Sequence, residues 1–281
     1  MKYTRNEFLR LTGVGISGMA TLGAVNSLSA ASPGKGKKED KFKLGLASYT
    51  FRKFSLDDTL KWAKQLELPG ISLKDMHMPL NSSPDELKKI AEKVKAAGID
   101  LNSGGVIYMK SAKEVTDAFQ YASNAGLSMI VGAPNHEFLP LVIEQINKYN
   151  IKLAIHNHGP GDSLYHSPID VYEKVKDLDK RIGLCIDIGH VQRIAQDPAE
   201  MITRFKDRLF DLHMKDVNKN TGDGVPVEMG RGIIDIPKVL KALRKANFTG
   251  YASFEYEKDG DAPLAGLAES VGYFRGVMKT T

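Results

Sequence analysis

The chain has 281 residues, 42% hydrophobic and 26% charged, the balance of an ordinary soluble globular protein with length for a large core. Its single cysteine, Cys185, excludes an internal disulfide framework and a cysteine-rich zinc knuckle. The formal net charge of +5 comes partly from the amino-terminal region and otherwise mixes both signs, which excludes the one-sided basic stripe of a nucleic-acid binder.

Residues 1–31 read as an export leader. Lys2, Arg5 and Arg10 form a positive head, an uncharged stretch rich in Gly, Ala and Leu follows, and Ser27, Ser29, Ala30 and Ala31 supply small residues for cleavage. Thr4 to Arg10 resembles a twin-arginine motif with Asn6 in the place of the second arginine, so the export route stays open. No cysteine stands at the junction to carry a lipid, and the stretch is short of the roughly 20 strongly apolar residues of a spanning helix. The expectation is an exported, periplasmic protein with no membrane span after cleavage. Residues 32–40, rich in Gly, Lys and Ser without periodicity, read as a flexible linker, and 41–281 as the folded domain.

The folded part alternates strand and helix. The first strand falls at 42–49, and the first helix at 55–67 is opened by Ser55 and Asp58 at capping-box spacing. A strand at 70–74 leads to a helix that starts at Ser83-Pro84 and closes at Gly98, and the third strand covers 99–106. Ser111 and Glu114 open the next helix, which Gly126 ends, followed by strand 127–131, helix 137–149 and strand 151–155. Ser167-Pro168 opens the fifth helix before strand 182–186; helix 198–205 precedes strand 209–213. Asp235 caps helix 236–246, strand 250–254 follows, and 264–278 forms the last helix. Eight such units in about 250 residues predict a (β/α)8 TIM barrel. A doubly wound open sheet is disfavoured because no glycine-rich phosphate turn follows the first strand.

Candidate chemistry gathers at the ends of the last four strands. Strand five runs into His156-Asn157-His158, strand six into Asp187 and His190, strand seven into His213, and strand eight into Glu255 and Glu257. Strand ends of a parallel barrel open onto one mouth. One residue from each, His156, Asp187, His213 and Glu255, makes a two-nitrogen, two-oxygen donor set for one divalent ion. That mixture suits Mn, Zn, Co or Fe(II) better than Ca, which prefers oxygen alone. Residues two apart on a strand share a face, so His158 and Lys215 stand with His156 and His213 and are expected to meet a substrate. An ion there polarises a carbonyl and stabilises the enediolate left when the adjacent proton is removed. A base is also needed: Glu255 itself, or Lys74 and His77 at the end of strand two. Arg193 and Arg231, in loops at the rim, are candidates for binding sugar hydroxyls. Cys185 reads as a small buried hydrophobe, and His136 and His166 as incidental loop residues.

The segments Ala154 to Pro160, Asp187 to His190, Asp211 to Asp216, Gly230 to Asp235 and Phe254 to Glu257 together make the chain resemble the xylose isomerase-like TIM-barrel superfamily of sugar isomerases and epimerases. The resemblance implies metal ligands at Asp187, His213 and Glu255, with His190 near the substrate. In that family strand five usually ends in Glu-Asn-His, and here His156 replaces the glutamate. The expected function is a metal-dependent sugar isomerase or epimerase. The alternatives are an exported lyase that opens 3-keto-glycosides by elimination and a non-catalytic sugar-binding module. The expected partner is a small sugar or glycoside, with no nucleic acid; a homo-oligomer is compatible with the sequence. The superfamily's DNA-repair branch is disfavoured because its multinuclear zinc site needs more ligands than this chain offers.

Overall fold

A computed structural model describes residues 40–281, and the expected leader lies outside them. Eight parallel strands hydrogen-bond in a closed ring: β1 (Lys43–Ala47), β2 (Gly70–Leu73), β3 (Asp100–Met109), β4 (Met129–Pro134), β5 (Lys152–His156), β6 (Ile182–Asp187), β7 (Leu209–Met214) and β8 (Tyr251–Phe254). Each strand pairs with its chain neighbours, and β8 closes against β1. The chain is a TIM barrel, as the alternation predicts. Asp40, expected in the linker, is tied to the fold by Arg244, whose guanidinium donates to both carboxylate oxygens at 2.6 and 2.8 Å.

The helices are α1 (Leu56–Gln65), α2 (Pro84–Ala96), α3 (Ala112–Asn124), α4 (Leu139–Tyr149), α5 (Pro168–Val175), α6 (Ile188–Arg193), α7 (Pro198–Arg204), α8 (Ile236–Lys245) and α9 (Leu264–Thr280). Their starts follow from side-chain chemistry. Ser83 and Ser167 accept from the backbone three residues on, and Glu86 and Asp170 reach back, closing two capping boxes over Pro84 and Pro168. Caps of this kind stabilise by about 1 kcal/mol each. Among the described residues, no helix is long and apolar enough to cross a membrane.

Two elements escape the sequence pattern. The short helix α6 begins directly at the end of β6, capped by Asp187, which accepts from the His190 amide at 2.8 Å. A two-residue antiparallel pair, Asp216–Val217 with Pro226–Val227, follows β7. In addition, β3 runs three residues beyond the expected end at Val106. Its register shifts between Gly104 and Ile107, where Gly105 has φ 147° and sits so close to β4 that a Cβ would lie 2.0 Å from the Val131 carbonyl oxygen. Past that irregularity the strand carries Tyr108 up to the mouth.

Register sets the height of the site. Asp187 pairs with His213, and His213 with Ser253 two residues before Glu255, while His156 pairs with Cys185 one step lower. Alternation then puts Ala154, Cys185, Asp211 and Ser253 in the layer beneath the four candidate ligands, all fully buried. The larger apolar core lies outside the ring, between strands and helices.

Candidate metal centre

His156, Asp187, His213 and Glu255 are buried, and one donor atom from each lies within 4.8 Å of all the others. His156 Nε2 is 3.1 Å from His213 Nδ1, His213 Nδ1 is 3.2 Å from Glu255 Oε2, and His156 Nε2 is 3.7 Å from Asp187 Oδ2. A tetrahedral ion about 2.1 Å from each donor separates the donors by about 3.4 Å. The three distances bracket that value. Asp187 Oδ2 is buried without a well-aligned hydrogen bond, and the Lys215 ammonium at 3.0 Å balances its charge. The donor set therefore fits a divalent ion. A second grouping, His156 with Cys185 and His213, fits less well: burial pushes the Cys185 thiol up to about 12, so it carries no thiolate at neutral pH.

Lys215 is the electrostatic centre of the cluster. Its ammonium lies 3.0 Å from Asp187 Oδ2, 3.0 Å from Glu255 Oε2 and 2.9 Å from Glu257 Oε2, with only 2% of the side chain exposed. Burial works against charge on Asp187 and Glu255. The Lys215 ammonium beside both outweighs it, and each carboxyl is held well below the usual carboxylate range. Burial likewise opposes charge on Lys215, and the carboxylates keep it firmly protonated. Burial raises the Glu257 carboxyl, with Lys215 partly offsetting it. The His213 ring is raised well above the ordinary imidazole range: burial opposes protonation, and the Cys185 sulfur and the Glu255 carboxylate beside the ring prevail.

Three other histidine rings are sorted by their neighbours. Burial lowers His156 and His190 to about 4 and lowers His158. At neutral pH all three rings are therefore neutral. The Asp162 carboxylate lies 3.1 Å from His158 Nδ1, and the Tyr108 hydroxyl lies 2.9 Å from His158 Nε2. The carboxylate favours the proton on Nδ1 and leaves Nε2 as an acceptor. His190 is set the other way, because the Arg193 guanidinium donates to Nδ1 at 3.4 Å and leaves Nε2 carrying the proton, 3.9 Å from Asp187 Oδ2. Asn157, opposed to both neighbouring histidines, accepts from the Asp187 amide at 3.0 Å and locks β5 to β6.

The remaining expectations divide. Lys74 is near the rim, where its ammonium donates to the Val106 carbonyl at 2.5 Å and stands 5.7 Å from the Tyr108 ring centre. His77 is not brought to the cluster. Its Nε2 donates to the Phe54 carbonyl at 3.1 Å, its Nδ1 is 3.0 Å from Ser48 Oγ, and burial lowers its pKa, so the ring ties the loop after β2 to the loop after β1. Arg231 is not at the mouth cluster either: it forms an exposed bidentate pair with Glu269 of α9 at 2.5 and 2.7 Å. The loop around it is shaped by Asp216, which accepts from the amides of Val217, Gly230, Gly232 and Ile234 at 2.9–3.2 Å. Tyr108 and Asp162 went unmarked in the sequence. The four-residue step from His158 to Asp162 is a local signal for one, but nothing local ties Tyr108 to a histidine 50 residues on.

The xylose isomerase-like TIM barrel family matches residues 60–277. An inosose dehydratase of Lacticaseibacillus casei is 24% identical over 131 residues, covering 41% of this chain and 44% of the relative. The chain matches under half the length of such curated relatives. Among solved structures, an IOLI protein with a binding zinc atom superposes with a TM-score of 0.71 at 17% identity, over 85% of this chain and 98% of its own. A 3-keto-D-glucoside 4-epimerase from E. coli gives a TM-score of 0.67 at 13% identity, over 84% of this chain and 100% of its own. At these identities the two structures share the fold.

Proposed function

Because the chain belongs to the xylose isomerase-like TIM barrel family, we propose that it is a divalent-metal-dependent enzyme that removes the proton beside a sugar carbonyl, as an isomerase or epimerase or as a lyase. The observation that carries this reading is the convergence of His156, Asp187, His213 and Glu255 at donor spacings of 3.1–3.7 Å. A divalent cation held by these four supplies a Lewis acid that polarises the carbonyl and acidifies its neighbouring C–H bond.

The chain's own groups do the rest. Lys215 keeps a positive charge buried beside the place where the carbonyl oxygen gains negative charge, a preorganised form of stabilisation. Glu255 is committed to Lys215 and His213, so proton removal passes to His158. Its Nε2 is an acceptor and reaches a substrate once the half-exposed Tyr108 hydroxyl is displaced. His190 presents an N–H to a substrate oxygen. In epimerisation the proton returns to carbon. In elimination the C–H electron pair forms the new double bond, the C–O bond breaks, and the leaving oxygen takes the proton that His158 removed, while the neutral His190 ring only hydrogen-bonds through its N–H.

Two observations support the lyase as the second reading. His156 stands where the family's usual glutamate would move a second proton, and a relative bears the name of a dehydratase. The leader at 1–31 supports an exported, periplasmic enzyme, which cell fractionation tests directly. The functional test is incubation of metal-loaded protein in D2O with free ketoses and with 3-keto-glycosides. An epimerase is expected to leave deuterium at the carbon beside the carbonyl without bond cleavage, and a lyase to release the aglycone and leave a double bond at that carbon. His158→Gln should slow exchange about 10²–10⁴-fold with metal content unchanged. Absence of both exchange and aglycone release from every substrate sinks the reading.

A further inference from the structure

A cavity of about 410 Å³ adjoins the site between the loop after β2, the raised end of β3 and the first half of α3. Its volume lies in the range of about 300–1,000 Å³ typical of small-molecule sites. Leu80, Ile107, Tyr108 and Ala118 give it an apolar lining, and Lys113 and Asp117 stand at its edge. Leu80 and Tyr108 are among the few large apolar side chains exposed in the described residues, and Met76, on the same loop as Leu80, is another. Exposed apolar groups gathered around one cleft mark a binding surface more often than isolated ones do.

Tyr108 joins this cavity to the candidate metal centre. Tyr108 is one of the residues lining the cavity, and its ring stacks on His158 with centroids 5.3 Å apart, the His158 ring being 4.6 Å from that of His156. Tyr108 and the His158 ring thus stand in line between the cavity and the candidate metal ligand His156. A free monosaccharide engaged at the cluster has no use for this space; a glycoside has a second group to place in it.

We infer that this cavity is an aglycone subsite: the substrate is a glycoside whose leaving group is an apolar or aromatic ring, held against Leu80, Tyr108 and Ala118 while the keto sugar sits at the cluster. The inference rests on the proposed sugar chemistry at His156, Asp187, His213 and Glu255. Polar groups on the ring's edge are met by Lys113 and Asp117. The apolar floor favours a flat ring over an acyclic polar chain, because ring faces bury apolar area without stranding hydroxyls.

The test compares methyl and phenyl 3-keto-β-glucosides, reading kcat and KM for aglycone release together with deuterium exchange beside the ketone. The metal-loaded full chain is expected to show a KM about tenfold lower for the phenyl compound, the value of about 1.4 kcal/mol of apolar contact. Asp117→Trp fills the cavity from its exposed edge and Leu80→Ala removes exposed floor, and neither side chain is part of the core. Both variants should erase the phenyl advantage and leave the methyl compound's KM and kcat unchanged. If the wild type shows no phenyl advantage, or the variants keep it, the subsite is refuted while exchange on the methyl compound leaves the sugar chemistry standing. If neither compound exchanges or is cleaved, the sugar chemistry itself fails and the subsite with it.

Discussion

Lys215→Met removes the charge at the centre of the cluster and keeps a side chain of similar length. In the wild type the ammonium is within 3.0 Å of Asp187 and Glu255, and the three side chains are 2%, 0% and 8% exposed. Deleting one partner of a buried ionic network costs about 3–5 kcal/mol, because the other charges remain in a site with little water. For a domain of this size each kcal/mol moves Tm by about 2–4 °C, so the metal-free variant should melt about 6–20 °C lower at pH 7. The pH sign reverses as well. The wild-type carboxyls are depressed, so their contribution is present above the ordinary carboxylate range and is lost as pH falls through their folded values. Without the ammonium, burial raises both carboxyls, and the variant's deficit should shrink as pH falls from 7 toward 5. A divalent ion supplies the missing charge, so saturating manganese or zinc should recover most of the loss. Differential scanning fluorimetry with chelator and with metal measures both quantities. A metal-free loss below about 3 °C, or one that metal does not recover, refutes the reasoning.

Three further outcomes follow from the same cluster and its surroundings. His213 is raised in the metal-free protein, so metal binding should release protons and strengthen as pH rises; calorimetry in buffers of different ionisation enthalpy reads the proton count. His156 and His190 are lowered to about 4, so the stability they confer is complete above the unfolded value near 6.5 and is lost as pH falls from there toward 4; urea titrations of metal-free protein across that window should show ΔG falling, with the His190 ring signal in NMR still neutral at pH 6. Asp216→Ala strips the acceptor from four backbone amides, and a loss on the order of 3 kcal/mol or more is expected by chemical denaturation, whereas a loss under 1 kcal/mol contradicts the loop-organising role.

The barrel was legible because its signals are local and repeated. Serine caps over Pro84 and Pro168 and apolar runs at 151–155 and 182–186 each fix an element without reference to the rest of the chain. The convergence of the four candidate positions was legible for a related reason: in a parallel barrel every strand end reaches the same mouth, so topology converts sequence position into proximity. Contacts that depend on height and rotamer were not legible. His77 ends a strand region like the others but turns into a buried hydrogen-bonded niche, and Arg231 meets a helix 38 residues later. The short helix α6 was hidden because Asp187 serves both as its cap and as a member of the cluster. Tyr108 reaches the mouth through the irregularity at Gly105, whose need for close approach to β4 has no counterpart in a strand pattern of alternating residues.

The central claim is that side chains from four strands hold one divalent cation. Metal-stripped protein titrated with manganese or zinc, followed by anomalous diffraction from the loaded crystal, tests it most directly. One ion per chain is expected, within about 2.0–2.3 Å of His156, Asp187, His213 and Glu255, with Glu255→Gln losing most of its occupancy. An ion bound elsewhere, or a wild-type protein that binds none at equimolar metal, contradicts the account.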